Sequence, residues 1–160
     1  MLIRPGTRVD AEPAIAVWRA AYEATRGGAG AADPHTQRVR DFLGEPDAFL
    51  VVADDELDIV GMGVGTQGLA DGGAGSPVPG LLHISMLFVH PRRWGHGLGG
   101  TLLDTVLDEG RLRAYERAEI WAHLDNTRAQ HLYESHGFEP TERQRPDLAG
   151  DLITEYRRVL

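Results

Sequence analysis

The chain has 160 residues and a formal net charge of −8, from 24 acidic residues against 16 basic ones, every one of them arginine. It has no cysteine, which excludes disulfides, zinc–thiolate centres and a cysteine nucleophile. The surplus of acid disfavours nucleic acid as a partner, because that binding rests on neutralising phosphates.

Taken in chain order, Leu2-Ile3-Arg4 reads as a short strand. Asp10 or Ala11 opens a helix with Pro13 in its first turn, where a missing N–H goes unnoticed. Ile15, Val17, Trp18, Ala21 and Tyr22 give that helix an apolar face. The glycine- and alanine-rich residues 27–32 are expected to break the chain before a second helix over 35–43, which ends at Gly44. The apolar runs 49–53 and 59–64 are strands joined by the acidic turn Asp54-Asp55-Glu56. Residues 67–80 carry five glycines and two prolines and read as a long mobile loop. A strand over 84–89 follows. Leu98, Leu102, Leu103, Val106 and Leu107 then recur at helical spacing. Residues 118–124 are a strand, Asp125 or Asn126 caps a helix to about 135, and 138–142 and 152–159 are the last strands. Consecutive strands first and strand–helix alternation later predict one α/β domain over 1–160 with a mixed sheet. No apolar run approaches a membrane span and the first residues lack a basic-then-apolar leader, so a cytoplasmic protein with no membrane partner is expected.

Between the strand ending at Val89 and the helix near Leu98 stands Arg92-Arg93-Trp94-Gly95-His96-Gly97-Leu98-Gly99-Gly100. Glycines in such a turn let a ligand approach the backbone, with N–H groups pointing one way. The helix N-terminus adds partial positive charge, which suits a phosphate or pyrophosphate. Gly95, Gly97 and Gly100 satisfy G-x-G-x-x-G, and Asp125 ends the next strand as a ribose-binding acid would, so a dinucleotide site is one reading. Against it, five residues, His90 to Trp94, separate the strand from Gly95, and only one clear strand–helix–strand unit exists.

Val89-x-Pro91 followed by Trp94-Gly95-His96-Gly97-Leu98-Gly99-Gly100-x-Leu102-Leu103 resembles the acetyl-CoA signature of the GCN5-related N-acetyltransferases. Asn126-x-x-Ala129-x-x-x-Tyr133-x-x-x-Gly137-Phe138 resembles the second motif of the same family, in the expected order and separation. The resemblance covers about residues 82–139. It implies an α/β fold with a mixed, mostly antiparallel central sheet flanked by helices and splayed to admit acetyl-CoA, the implied cosubstrate. It implies that Trp94, Gly95, His96, Gly97, Leu98, Gly99 and Gly100 hold the pyrophosphate. The strand backbone at Leu87, Phe88 and Val89 would pair with the pantetheine arm, the Leu87 N–H polarising the thioester carbonyl. Asn126, Ala129 and Tyr133 would add cofactor contacts, and Tyr133 would protonate the departing thiolate. One departure is Trp94, where the family pattern has Gln or Arg; Arg93 stands one residue early.

The implied reaction is direct attack of a primary amine on the thioester in a ternary complex. That amine is mostly an ammonium ion at neutral pH, so something must take its proton. His83, six residues before Val89 where many family members carry glutamate, is the candidate base. His123, Glu155 or a water are the alternatives. The seven histidines form no tight i,i+4 pair with a carboxylate along a predicted helix, and no metal is expected. The acidic balance points to a small amine, an amino acid or a cationic antibiotic as acceptor, with a peptide N-terminus open. A non-catalytic acyl-CoA-binding or sensing module on the same fold is the alternative function. Dimers are common in the family, so a homodimer is among the implied assemblies.

Overall fold

The computed structural model describes residues 1–26, 33–147 and 149–160. The chain break expected at 27–32 lies outside the described residues. Among the described residues eleven helices and strands follow one another: β1 (Leu2–Pro5), α1 (Ala11–Arg26), α2 (Asp33–Leu43), β2 (Phe49–Asp54), β3 (Ile59–Leu69), β4 (Pro77–Val89), α3 (Leu98–Leu112), β5 (Arg117–His123), α4 (Thr127–Ser135), β6 (Glu139–Pro146) and β7 (Leu152–Val159). Among the described residues the strands form one seven-stranded sheet in the order β1-β2-β3-β4-β5-β7-β6. The β1–β2, β2–β3, β5–β7 and β6–β7 pairs are antiparallel and β4–β5 is parallel. This is the mixed, mostly antiparallel α/β class expected. It is not the doubly wound parallel sheet that a dinucleotide site needs, and that reading falls. No helix among the described residues is long and apolar enough to cross a membrane.

The chain packs as two compact units. The first comprises Met1–Gly65 and Met86–Val106. Its strands β2 and β3 run apolar without alternation because both faces are covered: Val51, Val52, Ala53, Val60, Met62 and Val64 have no exposed surface. On one face, Ala14 and Val17 of α1 pack on Met62 and Val64. On the other lies α3. A Cβ built on Gly61 or Gly63 would stand 2.6 Å from Leu102 Cδ1 or Val106 Cγ2, so two missing side chains set how closely the helix approaches. Ile15 and Trp18 pack on Val39 of α2. Arg4 of β1 reaches Asp10, just before α1, at 2.8 and 3.0 Å and Asp54 of β2 at 2.9 Å.

The second unit comprises Thr66–Ser85 and Leu107–Leu160. Here the expected mobile loop over 67–80 is overturned. β3 continues to Leu69 and β4 begins at Pro77, leaving a short turn closed by Ala70 N–H to Ser76 O and Gly75 N–H to Ala70 O, both 2.8 Å. Backbone pairing does not need apolar side chains, and a composition argument cannot see it. Gln67 adds an amide hydrogen bond to Val78 O at 2.7 Å. One face of β4, β5 and β7 is apolar, with Leu82, Ile84, Ala118, Ile120, Ala122 and Tyr156 buried. The other face presents His83, Glu119, Trp121, His123, Glu155 and Arg157, brought together by the register His83↔Glu119↔Arg157 and Trp121↔Glu155. The β4–β5 pairing runs from Leu81↔Arg117 to Ile84↔Ile120, while β5 continues beside β7 to His123.

Asp10 makes a stability prediction. The Arg4 hydrogen bonds, aided by those from Thr7 and opposed by burial, lower its carboxyl from 3.8 to about 2. A lowered folded value contributes stability above the unfolded value, and that contribution is lost as pH falls from about 4 towards 2. Asp10→Asn should therefore be less stable than the native chain at pH 7, by roughly 2 kcal/mol, and the gap should shrink steadily as pH falls from about 4 towards 2. Urea denaturation at pH 7, 4 and 2.5 measures it.

Candidate functional site

The turn from β4 into α3 lies in the first unit. Pro91–Arg93 form a single 3-10 turn, with His90 N–H bonded to Val60 O at 2.9 Å and Trp94 N–H to Pro91 O at 3.1 Å. Gly95 and Gly97 follow at φ 81° and 76°, backbone that side chains rarely adopt. A Cβ at either would meet nothing within 4 Å, so conformation demands glycine here and the space beside it is open. α3 starts at Leu98, and the first intrahelical bond is Thr101 N–H to Gly97 O. The N–H groups of Leu98, Gly99 and Gly100 therefore have no acceptor within the helix. They and the helix dipole form an anion-binding end.

The neighbouring arginines are already engaged. Arg93 bonds Asp55 at 2.8 Å and Arg92 bonds Asp58 at 3.0 Å. Asp55 is held at about 2, chiefly by the Arg93 hydrogen bond and then by the Asp58 N–H, against burial. These four residues, with Leu57 and His96, line an open cavity of about 410 Å³. Trp94, at the position of departure from the family pattern, turns its indole N–H back to Val89 O at 2.7 Å. Anion capacity in this loop thus lies in backbone N–H groups. Along β4, Met86 and Phe88 pack against the α1 cluster, which anchors the strand while leaving its backbone to other partners.

The remaining candidates lie in the second unit. Asn126 caps α4, its side-chain oxygen accepting from Ala129 N–H at 3.1 Å. Tyr133 is buried against Phe138 and Tyr156, with ring centroids 6.2 and 5.9 Å apart. Burial, and the neighbouring Tyr156, push its phenol well above the ordinary tyrosine value. His83 Nδ1 lies 3.0 Å from Glu119 Oε1. Burial works to raise the Glu119 carboxyl, but the hydrogen bond and charge of His83, a hydrogen bond with Glu155 and the charge of Arg157 hold it below the ordinary value. An ionised carboxylate only accepts, so Nδ1 carries the proton and, in the neutral ring, Nε2 keeps its lone pair. Glu155 is fully buried and occupied: Thr141 donates at 2.9 Å, Arg143 lies at 3.4 Å, and Arg157 Nε stands 3.0 Å away in a charge contact whose N–H is misaligned for a hydrogen bond. His123 Nε2 is held by Asp147 at 2.6 Å.

His83 and Glu119 are brought together; His83 and Tyr133 are not. Tyr133 packs on Tyr156, which pairs with Ile120 on the apolar face, whereas His83 belongs to the polar face. Glu119 and Arg157 escaped the sequence reading. The available signal was an acid inside the run Ala118-Glu119-Ile120-Trp121, at the alternation phase of Trp121.

A sequence profile of the acetyltransferase (GNAT) family matches residues 13–138. The chain belongs to that family. A mycothiol acetyltransferase of Beutenbergia cavernae is 44% identical over 57 residues, which is 36% of this chain and 19% of that protein, so the chain spans about a fifth of that relative. Among solved GNAT-like folds, a ribosomal-protein-alanine N-acetyltransferase from Brucella melitensis superposes with TM-score 0.77 at 20% identity, covering 100% of both chains. The PaiA N-acetyltransferase of Thermoplasma acidophilum, solved with coenzyme A, superposes with TM-score 0.68 at 16% identity, covering 99% of this chain and 98% of that one.

Trp94→Phe keeps an aromatic ring, though a smaller one, and removes the indole donor to Val89. It should lower unfolding free energy by about 1 kcal/mol, read as a reduced denaturation midpoint with unchanged slope.

Proposed function

We propose that this chain is an acetyl-CoA-dependent N-acetyltransferase acting on a primary amine in a ternary complex. The observation that carries the reading is the β4–α3 turn, with left-handed Gly95 and Gly97 opening a helix whose first amides have no acceptor within the helix. The family membership and the coenzyme A complex of a relative support it. The pyrophosphate lies on Gly95 to Gly100, with Trp94 bracing the loop. The pantetheine arm follows the backbone of Leu87, Phe88 and Val89, and Asn126 and Ala129 add contacts from the start of α4.

The chemistry needs a base for the ammonium proton and an acid for the departing thiolate. His83 Nε2 accepts the ammonium proton, directly or through a water, while Glu119 holds Nδ1–H and so orients the ring. The freed amine attacks the thioester carbonyl carbon and a C–N bond forms. The Leu87 N–H stabilises the oxyanion. The C–S bond breaks, and the thiolate takes a proton from Tyr133, whose burial keeps the phenol protonated around neutral pH; the second proton of the attacking nitrogen, released as the amide forms, returns to the phenol through water. The base and the acid act from opposite faces of the sheet, consistent with donor and acceptor arriving from opposite sides. Glu155 is a poor base because its oxygens are already bonded. The acceptor is a small amine, an amino acid or an amine antibiotic, a class that the acidic charge balance would attract.

Thiol release from acetyl-CoA over a panel of such amines tests the reading. Turnover with one acceptor class is expected. Tyr133→Phe should lower kcat by roughly 10²-fold or more at unchanged donor affinity, and His83→Gln should lower kcat/KM for the amine by a similar factor. Donor binding without thiol release for any amine would favour the binding-module alternative.

A further inference from the structure

On the polar face of the second unit, four basic side chains stand against carboxylates. His83 meets Glu119, His123 meets Asp147, Arg143 meets Glu155, and Arg157 meets both Glu119 and Glu155. Arg145 does not. Its guanidinium lies over the Trp121 ring, 4.7 Å from the centroid. Its protein hydrogen bond is a long one, Nη1 to Pro146 O at 3.5 Å, and its Nε is buried with no acceptor. Its stem is confined on another side: a Cβ at Gly72, in the β3–β4 turn, would stand 3.0 Å from Arg145 Cδ. The charge is thus pre-positioned on an aromatic platform and short of acceptors. That arrangement costs free energy unless a further group supplies them.

We infer that Arg145, laid on Trp121, is the subsite for a carboxylate carried by the amine acceptor, so that the acceptor is an amino acid or a close analogue rather than a simple amine. This rests on the acetyl-transfer reading for its role, and narrows it. A guanidinium offers two parallel N–H donors that match a carboxylate. The acid nearest in register, Glu155 opposite Trp121, is committed to Thr141, Arg143 and Arg157 and does not neutralise Arg145. Placement agrees with the chemistry. Trp121 follows Glu119 by two residues on the same face of β5, about 6.6 Å along the strand, and Glu119 is the residue that holds His83. Trp121 also lies just past Ile120, where the pairing of β5 with β4 ends. A carboxylate on Arg145 would hold an amine a few bonds away on the His83 side of the sheet.

The test uses matched pairs that differ only in the carboxylate: glycine and methylamine, L-alanine and ethylamine, L-phenylalanine and phenethylamine. Thiol-release kcat/KM is measured for the native chain, Arg145→Gln and Arg145→Lys. In a second arm, calorimetry measures binding of the N-acetyl amino acids and the matching N-alkylacetamides to the coenzyme A complex. The native chain should favour the carboxylate member at least 10-fold. Arg145→Gln should collapse that ratio towards 1, mainly through KM, and Arg145→Lys should keep part of it. Equal use and equal binding of the two members by the native chain overturns the subsite, as does a ratio that survives in Arg145→Gln. Absence of thiol release with every amine, together with N-acetyl amino acid binding that Arg145→Gln abolishes, keeps the subsite and removes the transfer reading. Turnover without carboxylate preference does the reverse.

Discussion

The turn between β4 and α3 is the constraint on which the candidate site depends. A strand has to hand the chain to a helix whose first amides stay uncovered, and an ordinary L side chain resists the φ of 81° and 76° needed at positions 95 and 97. Three contacts hold that geometry. His90 is tied to Val60 and the Trp94 indole to Val89 O, and α3 is seated where Gly61 and Gly63 leave room for Leu102 and Val106. Loosening the seat of α3 would move the amides with it. In the family pattern a Gln or Arg stands at position 94. Here an indole occupies it and spends its one donor on the strand that precedes the loop.

The polar face of the second unit obeys a different rule. Glu119 and Glu155 are almost wholly buried, and buried carboxylates are tolerated only when paired and hydrogen-bonded. The register supplies the partners: β4 brings His83, β7 brings Arg157, and the irregular pairing of β6 between Pro140 and Gln144 brings Thr141 and Arg143 onto Glu155. Such a network adds little net stability over an apolar face. It does fix ring and carboxylate orientations, which a proton-transfer site needs. The same network explains why Glu155, a plausible base on paper, is chemically committed, while His83 retains a nitrogen lone pair.

Much of this was legible in the sequence. The helix over 98–112 announced itself through Leu98, Leu102, Leu103, Val106 and Leu107, and the glycine turn through its position between strand and helix. The Asn126 cap was visible as a short polar residue before a helical run. What escaped is long-range. The 67–80 segment looked like a loop because glycine and proline dominate it, yet its backbone pairs as a hairpin around a short turn. Nothing local to Arg92 and Arg93 indicates their partners, Asp58 and Asp55, which stand more than thirty residues earlier. Glu119 became visible as the partner of His83 only when the parallel register set β4 beside β5. That His83 and Tyr133 take opposite faces follows from strand alternation combined with the docking of α4, which no local pattern records.

The central claim is that backbone amides of the β4–α3 turn bind the donor pyrophosphate. Amide chemical shifts followed by NMR during a titration with acetyl-CoA test it most directly. The account predicts that the largest perturbations fall on residues 95–100, with a second set on Leu87 to Val89, and that desulfo-coenzyme A, which keeps the pyrophosphate, reproduces the first set. Saturable binding of acetyl-CoA that leaves the 95–100 amides unmoved would contradict it.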